Sequence, residues 1–259
     1  MSARSAPAAV VLAGGGSRRM GSDKALLDWH GQPLLGRVCG VLRRICDPLV
    51  VVHAAGQQLP PLADAELVRD PHPDRGPLEG IAAGLAAVDG RREAAFVCAT
   101  DLPQLHPQFV LALVDLLDDD VDAVMPVADG RDQPLAAVYR PGLWARAQAL
   151  LDAGERRAWV LADGARLRRV EAAGLPQPSS LRNLNTAEDY AAARAEPAPQ
   201  VAVSIGGAAV TVRAATLAAA ASAVPALAAA LSGGTLRLNG AAVDTADTPL
   251  VEGDRLQAT

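Results

Sequence analysis

The sequence has few aromatic residues, no long apolar run and no excess of positive charge. Aromatic side chains make up only 3% of its 259 residues, so a hydrophobic core must consist mainly of alanine, valine and leucine. No run of about 18 apolar residues occurs, so no membrane-spanning helix is expected. The net charge is −5, without a basic stretch large enough to indicate nucleic-acid binding. The length suffices for one large domain and a small one.

Cysteine is also scarce, and a targeting segment is not evident. The three cysteines, Cys39, Cys46 and Cys98, form no C-x-x-C pair, and their odd number favours a compartment that keeps thiols reduced. The first residues, Met1 to Ala9, lack the apolar core of a secretory signal peptide. We therefore predict a cytoplasmic protein.

Glycine is concentrated directly after the first apolar run. Val10 to Ala13 is typical of a short buried strand, and Gly14, Gly15 and Gly16 follow it at once. Glycine lets the backbone turn sharply and approach a ligand closely, and successive N–H groups in such a turn bind anions. The spacing fits neither the dinucleotide fingerprint nor the Walker A motif. The segment predicts a different kind of polyphosphate-binding loop.

Positive charge is carried almost entirely by arginine, because the 24 lysine and arginine residues include a single lysine, Lys24. Arg18 and Arg19 precede it in the same segment. A compact ammonium group does not replace a planar guanidinium group against a phosphate. One lysine can remain in a chain by chance, but its place after the glycine turn favours a role at phosphate groups.

The segment from Leu12 to Leu26 reads L-A-G-G-G-S-R-R-M-G-S-D-K-A-L and resembles the signature of the MobA-like molybdenum cofactor guanylyltransferases. The resemblance implies a Rossmann-like, three-layer α/β nucleotidyltransferase domain. It also implies catalytic roles for Lys24, Arg18 and Asp101. The nucleotide-binding residues that it implies are Leu12, Ala13, Gly14, Gly15, Gly16, Lys24, Asp70 and Asp101.

Asp101 follows another apolar run, Ala94 to Ala99, which predicts a buried strand. Ligands of open parallel sheets bind at the carboxyl edge, where a carboxylate can hold Mg²⁺ that bridges phosphates. An aspartate before a proline can equally form a turn, so its position alone leaves both roles open. The segment Cys98 to Pro103 resembles the magnesium site of the family, which favours the metal role for Asp101.

Other segments resemble the family less completely. Asp70 is followed by Gly76-Pro77-Leu78-Glu79-Gly80, which resembles the guanine-specific type, whereas His53 stands where the family usually has an asparagine. The closing motif around Asn183 and Asn185 also matches, although Thr186 could simply cap a final helix. The possible acceptor-site residues are Arg19, Gln133, Asn183 and Asn185.

The composition changes after a proline-containing linker at 196–200, which predicts a first domain at 1–195 and a second at 201–259. Two hairpin signals, at Gly206-Gly207 and Asn239-Gly240, enclose an Ala/Leu helix from Thr216 to Leu231 that Pro225 interrupts. This pattern resembles the α+β fold of the β-grasp sulfur carriers (MoaD/ThiS-like). Those carriers end in Gly-Gly, which is absent here, so we expect a docking or structural module.

The resemblance implies transfer of GMP from GTP to the molybdopterin form of the molybdenum cofactor, with Mg²⁺ as cofactor and release of pyrophosphate. Possible further partners are cofactor-biosynthesis proteins that bind the second domain. Two alternatives remain open. One is transfer of CMP, or of a nucleotide to another phosphorylated acceptor. The other is a non-catalytic nucleotide-binding adaptor, against which the intact Lys24 and Asp101 argue.

Overall fold

The computed structural model describes residues 5–14, 23–72 and 75–258. The chain divides into two compact units. The first consists of Met1–Leu27 and Pro33–Thr186, and the second of Asp28–Gln32 and Ala187–Thr259. The helix that we predicted at the end of the first domain is thus grouped with the second unit. In the described part of the chain, no helix is long and apolar enough to cross a membrane.

A mixed eight-stranded sheet forms the centre of the first unit. A separate two-stranded hairpin follows the first strand in sequence. The hairpin strands are β2 (Asp28–Trp29) and β3 (Gln32–Pro33). The sheet strands are β1 (Ala8–Leu12), β4 (Leu49–His53), β5 (Ala65–Arg69), β6 (Ala95–Ala99), β7 (Ala123–Ala128), β8 (Arg131–Asp132), β9 (Ala136–Tyr139) and β10 (Leu167–Glu171). They are ordered β10-β7-β9-β6-β1-β4-β5, and β8 pairs with β7.

The predicted parallel pairing is confirmed: β1 runs parallel to β4 on one side and to β6 on the other. Strand β5 is parallel to β4, whereas β9 is antiparallel to both β6 and β7. The carboxyl ends of β6, β1, β4 and β5 therefore lie along one edge of the sheet. This edge carries three of the sequence segments that we singled out.

Helices cover both faces of this sheet. They are α1 (Leu34–Leu42), α2 (Pro77–Val88), α3 (Pro107–Asp115) and α4 (Leu143–Asp152). One face of β1, with Ala8, Val10 and Leu12, packs in a core with α2 and α4. The alternating residues Ala9 and Val11 are also fully buried, which requires a second covered face. The architecture is therefore a three-layer α/β fold.

Helix α2 packs closely against β1 at two positions that are glycine. A Cβ atom at Gly84 would lie 2.2 Å from Cγ1 of Val10, and one at Gly80 would lie 3.2 Å from Cδ2 of Leu12. The helix begins at Pro77, where proline is tolerated because the first N–H has no helical partner. One helix prediction differs in type: Arg157 to Leu161 is a 3₁₀ helix at Ala158–Ala162.

The second unit contains a five-stranded sheet. Its helices are α5 (Ala187–Arg194), α6 (Leu217–Ala223) and α7 (Pro225–Ser232). Its strands are β11 (Gln200–Ile205), β12 (Ala208–Arg213), β13 (Leu236–Leu238), β14 (Ala241–Ala242) and β15 (Arg255–Ala258), in the order β12-β11-β15-β13-β14. Strand β11 begins at Gln200, the last residue of the predicted linker.

Both hairpins predicted for this region are present, and the alanine-rich helix is divided as its proline suggested. Strands β13 and β14 reverse at Asn239 and Gly240, whose φ angles of 51° and 89° suit a tight hairpin turn. Helix α6 ends before Val224, because Pro225 offers no N–H to continue the helix, and α7 starts at that proline. Thr216 caps α6 by accepting a hydrogen bond from the Ala219 N–H.

Candidate active site

The first wall of the candidate site is the end of β1. The Ala13 N–H donates to the Val52 carbonyl at 2.8 Å, and the Thr100 hydroxyl donates to the Leu12 carbonyl at 3.0 Å. The ends of three parallel strands are therefore tied together at the start of residues 14–22, which we call the glycine segment. Gly14 follows directly, whereas Gly15, Gly16, Arg18 and Arg19 lie outside the described residues.

Lys24 and Asp101, which are 77 positions apart in sequence, form an ion pair. The Lys24 ammonium donates to Oδ2 of Asp101 at 2.9 Å. The two side chains are 22% and 17% exposed, so the pair is sheltered but reachable from solvent. The glycine segment and the carboxylate after β6 were predicted to serve one site, and the structure places this lysine and this carboxylate in contact.

The closing motif also reaches this pair. The Lys24 ammonium donates a second hydrogen bond, at 2.7 Å, to the Leu184 carbonyl. The Leu184 N–H in turn donates to the Asp101 carbonyl at 3.1 Å. Leu184 stands between Asn183, which is half-buried, and Asn185, which is exposed. The structure therefore brings the asparagine motif to the ion pair through its backbone.

Asp101 is fixed by residues on both sides of it in the sequence. Thr100 is buried and bonded to the end of β1, as described above. On the other side, the buried guanidinium of Arg37 on α1 donates from Nε to the Pro103 carbonyl at 3.2 Å. Buried guanidinium groups are costly unless their donors are satisfied, so this bond holds the segment firmly. The carboxylate thus has a defined place beside Lys24.

Asp70 lies at the same edge of the sheet, after β5. It is buried, its N–H donates to the His53 carbonyl at 2.7 Å, and its Oδ1 accepts from the His72 N–H at 2.9 Å. His72 continues this cluster, because its Nδ1 lies 3.0 Å from Oε1 of Glu79 at the start of α2. His53 itself ends β4, and its Nδ1 lies 2.9 Å from the Ala54 carbonyl.

Gln133, another acceptor-site candidate, lies three residues before β9, whose first residue, Ala136, pairs with Cys98 near the end of β6. Its N–H donates to the Pro126 carbonyl at 2.9 Å and its side-chain amide donates to the Arg131 carbonyl at 3.2 Å. Both bonds stabilise the turn between β7 and β9. The described contacts therefore give Gln133 a local structural role and leave its acceptor role a prediction.

Three residues around the candidate site were not predicted from the sequence: Gln57, Arg37 and Leu184. Gln57 lies in an irregular loop after β4 and bonds to residues on both sides of the glycine segment. The sequence around Arg37 does not indicate that this helix residue is buried. Leu184 contributes only backbone atoms, which its residue type does not indicate. No periodicity or motif distinguishes such residues, although the match around Asn183 and Asn185 pointed to the neighbourhood of Leu184.

The Asp101 carboxylate suits a magnesium ion that is also bound by the phosphates of a nucleotide. Within residues 5–14, 23–72 and 75–258, no group of three or more His, Cys, Asp or Glu side chains could hold a metal. Mg²⁺ is commonly bound by one or two carboxylates together with substrate phosphates. The half-buried carboxylate of Asp101 is such an oxygen donor, and its position at the strand ends fits that arrangement.

The three cysteines are free thiols and take no part in this arrangement. Burial raises the pKa of Cys39 to about 12 and that of Cys46 to about 12. Burial also raises the pKa of Cys98 well above its ordinary value. Thiols with such pKa values are weak nucleophiles near neutral pH, because the reactive thiolate is scarce.

A three-layer α/β sheet with a lysine–carboxylate pair at its carboxyl edge is an arrangement suited to nucleotide chemistry. Comparison with known families identifies the class. The family described as "MobA-like NTP transferase domain" matches residues 9–170, which include Lys24, Asp70 and Asp101. The chain belongs to this family and is a nucleotidyltransferase, so the predicted family and enzyme class are confirmed.

The most informative relatives are curated mycobacterial proteins. The chain is 41% identical to a probable molybdenum cofactor guanylyltransferase of Mycobacterium ulcerans over 189 residues, covering 71% of this chain and 92% of the relative. It is 40% identical to the Mycobacterium avium protein of the same name over 188 residues, covering 71% and 93%. Nearly the whole of each relative is therefore matched by less than three quarters of this chain.

A solved structure supports the fold of the first unit. The molybdopterin-guanine dinucleotide biosynthesis protein A of Archaeoglobus fulgidus superposes with a TM-score of 0.61 and 24% identity. The superposition covers 72% of this chain and 96% of that protein. The predicted α/β nucleotidyltransferase fold is confirmed by this likeness.

Proposed function

We propose that the protein transfers GMP from GTP to the molybdopterin form of the molybdenum cofactor and releases pyrophosphate. The observation that carries this proposal is the Lys24–Asp101 pair at the carboxyl edge of the sheet, inside the segment matched to the nucleotidyltransferase family. The choice of guanine and of the acceptor is supported by the names of the mycobacterial relatives.

In the proposed reaction, Lys24 offsets negative charge that develops between the α-phosphate and the leaving pyrophosphate. Its ammonium is held in place by the Asp101 carboxylate and the Leu184 carbonyl, so little reorganisation is needed when the charge develops. Arg18 would supply further positive charge from the glycine segment. Leu12, Ala13 and the glycines at 14–16 would hold phosphates through backbone N–H groups.

Asp101 would hold Mg²⁺, which neutralises phosphate charge when it is bound. Asp70 would help to place the nucleotide from the end of β5. The attacking group in this proposal is the terminal phosphate of the acceptor, which is already anionic, so no side chain has to remove a proton. Catalysis then consists of positioning and charge neutralisation, as in phosphoryl transfer generally. Arg19, Gln133, Asn183 and Asn185 remain the candidate contacts to the acceptor.

The test is nucleotide selection by the full chain. The protein is incubated with Mg²⁺, molybdopterin and one of GTP, CTP, ATP or UTP, and pyrophosphate release is measured with and without the acceptor. We expect acceptor-dependent release with GTP. Faster release with CTP would favour the cytidylyl alternative. That alternative is included because His53 stands where the family usually has an asparagine. Nucleotide binding without any release would favour the non-catalytic adaptor.

For the second unit we propose a β-grasp fold that binds another protein of cofactor synthesis. The support is its topology: an antiparallel hairpin, two short helices, and a last strand, β15, that runs parallel to β11 at the centre of the sheet. Affinity capture with the full chain and with a variant lacking 197–259 tests the partner role. Equal capture of cofactor-synthesis proteins by both would contradict it.

A further inference from the structure

One side chain connects the two ends of the glycine segment. Gln57 lies in the loop after β4, and its Nε2 donates to the Ala13 carbonyl at 2.9 Å and to Oδ2 of Asp23 at 2.9 Å. Ala13 directly precedes Gly14, and Asp23 directly precedes Lys24. Two acceptors that are ten positions apart in the chain are thereby held around a single nitrogen atom.

The orientation of the Gln57 amide is itself fixed. Its Oε1 accepts from the Ala54 N–H at 3.1 Å, and the Gln57 N–H donates to the Ala54 carbonyl at 3.2 Å. Because Oε1 is held by a donor, both hydrogens of Nε2 point to the acceptors on Ala13 and Asp23. The loop that follows β4 therefore presents an amide donor to the ends of the neighbouring segment.

The bond to Asp23 continues towards Lys24. The other carboxylate oxygen of Asp23, Oδ1, accepts from the Ala25 N–H at 3.0 Å and caps the short 3₁₀ helix Lys24–Leu26. Gln57 thus fixes the cap of the helix whose first residue carries the ammonium that meets Asp101. A shift of this cap would move the Lys24 backbone, and small misplacements of a charged group lower catalysis strongly.

We propose that Gln57 is a positioning residue that fixes both ends of the glycine segment and thereby sets the place of Lys24. This inference rests on the proposed function, because it concerns the charge that Lys24 supplies. Gln57 acts through Ala13 and Asp23. The proposed role requires an amide side chain, because its nitrogen donates to Ala13 and Asp23 while its oxygen accepts from Ala54.

Replacing the amide tests this requirement. In Gln57→Ala all three side-chain bonds are lost, and we expect kcat with GTP to fall at least tenfold while KM for molybdopterin stays within twofold. Gln57→Glu keeps the size but offers no donor, and it places a second negative charge against Asp23. We expect its kcat to fall at least as far as that of Gln57→Ala. The matched control is Gln58→Ala, the exposed neighbouring glutamine, for which kcat stays within twofold.

A compensating change supplies the decisive contrast. In Gln57→Glu with Asp23→Asn, the new asparagine amide can donate to the new carboxylate, and its oxygen can still accept from the Ala25 N–H. We expect kcat to rise at least threefold above that of Gln57→Glu alone. A near-normal kcat in Gln57→Glu, or losses as large in Gln58→Ala, would overturn the assignment, since a space-filling glutamine would tolerate its isostere.

Hydrogen exchange separates this inference from the proposed function. The Ala25 amide should exchange at least fivefold faster in Gln57→Ala than in the unaltered chain, with no nucleotide present, and at an unchanged rate in Gln58→Ala. If the unaltered chain released no pyrophosphate, the proposed function would fail and the exchange rate alone would decide whether Gln57 fixes the cap. An unchanged Ala25 exchange rate in Gln57→Ala contradicts the positioning role.

Discussion

The two units each contain a well-held aspartate, and the two carboxylates have different kinds of partner. Asp254 in the second unit is buried and accepts from the Asn239 side-chain amide at 2.7 Å and from the Val251 N–H at 2.8 Å. Asp101 in the first unit is 17% exposed and meets the Lys24 ammonium. One carboxylate closes a turn, and the other shares its charge with a cation at the sheet edge.

The difference lies in what each arrangement does for the fold. Asn239 has a φ of 51° and also accepts from the Arg255 N–H, so the Asp254 bonds hold two adjacent turns together. Folding alone accounts for such an aspartate. The Lys24–Asp101 pair instead links the short 3₁₀ helix Lys24–Leu26 to the residues that follow β6, and its two side chains remain 22% and 17% exposed. We propose a chemical role for this pair and a structural role for Asp254, and the two proposals predict different effects of substitution.

The largest expected effect is that of Asp101→Asn. The substitution keeps the shape of the side chain but removes the charge proposed to hold Mg²⁺. Turnover should fall at least about a hundredfold, because the charge at the reacting phosphates is no longer neutralised. Steady-state pyrophosphate release measures this, and the exposed Asp115→Asn serves as control. Near-normal magnesium-dependent turnover in a folded Asp101→Asn protein would remove the contrast with Asp254.

Lys24→Arg is expected to have the next largest effect. The exchange keeps the charge but replaces a compact ammonium by a broader planar group that cannot occupy the same place between Asp101 and Leu184. We expect at least a tenfold loss of kcat. The reverse exchange in the second unit, Arg237→Lys, should leave kcat within twofold. Full activity of Lys24→Arg would mean that any positive charge suffices.

Asp254→Ala should reverse the pattern. It leaves the Asn239 amide and the Val251 N–H without their acceptor, and hydrogen bonds to a buried charged group contribute about 1.5–3 kcal/mol each. We expect the free energy of unfolding of the second unit to fall by about 3–6 kcal/mol in urea titration, with pyrophosphate release within twofold. The exposed Asp247→Ala should be silent in both measurements. A loss of turnover at unchanged stability would contradict a purely structural role for Asp254.

The smallest expected effect is that of deleting 197–259. The mycobacterial relatives are matched almost completely by about 71% of this chain, so the matched part should suffice for transfer. Nucleotidyl transfer by the purified truncated protein should stay within about twofold of the full chain. A loss of more than tenfold in a folded truncated protein would indicate that the second unit takes part in the reaction.

Much of the fold could be predicted because its signals are local. Buried strands such as Leu49–His53 are continuous apolar runs, and turns at Gly206-Gly207 and Asn239-Gly240 have residues that suit positive φ. The break at Pro225 follows from its missing N–H. Boundaries were less accurate, because strand ends depend on partner strands: β1 extends back to Ala8, opposite Ala95.

The candidate site was only partly predictable, because some of its residues are identified by local signals and others only by contacts between distant segments. Lys24 and Asp101 stood out by their residue type and by their places after apolar runs. Gln57 and Leu184 did not, because their contributions depend on contacts across 34 and 160 positions of sequence. Such contacts arise from the strand order, which a single sequence does not specify. The residues that position a site are therefore harder to find than the charged residues that they position.

The pairing of Lys24 with Asp101 has a consequence for covalent labelling. Because the chain has a single lysine, amine-directed reagents meet only one side-chain target, and that target is the ammonium at the candidate site. Acylation there would cancel the charge facing Asp101. Among the side chains, surface attachment through lysine, cross-linking with amine-reactive spacers and enzymatic lysine acylation would all act on this one position. No lysine therefore allows labelling away from the candidate site.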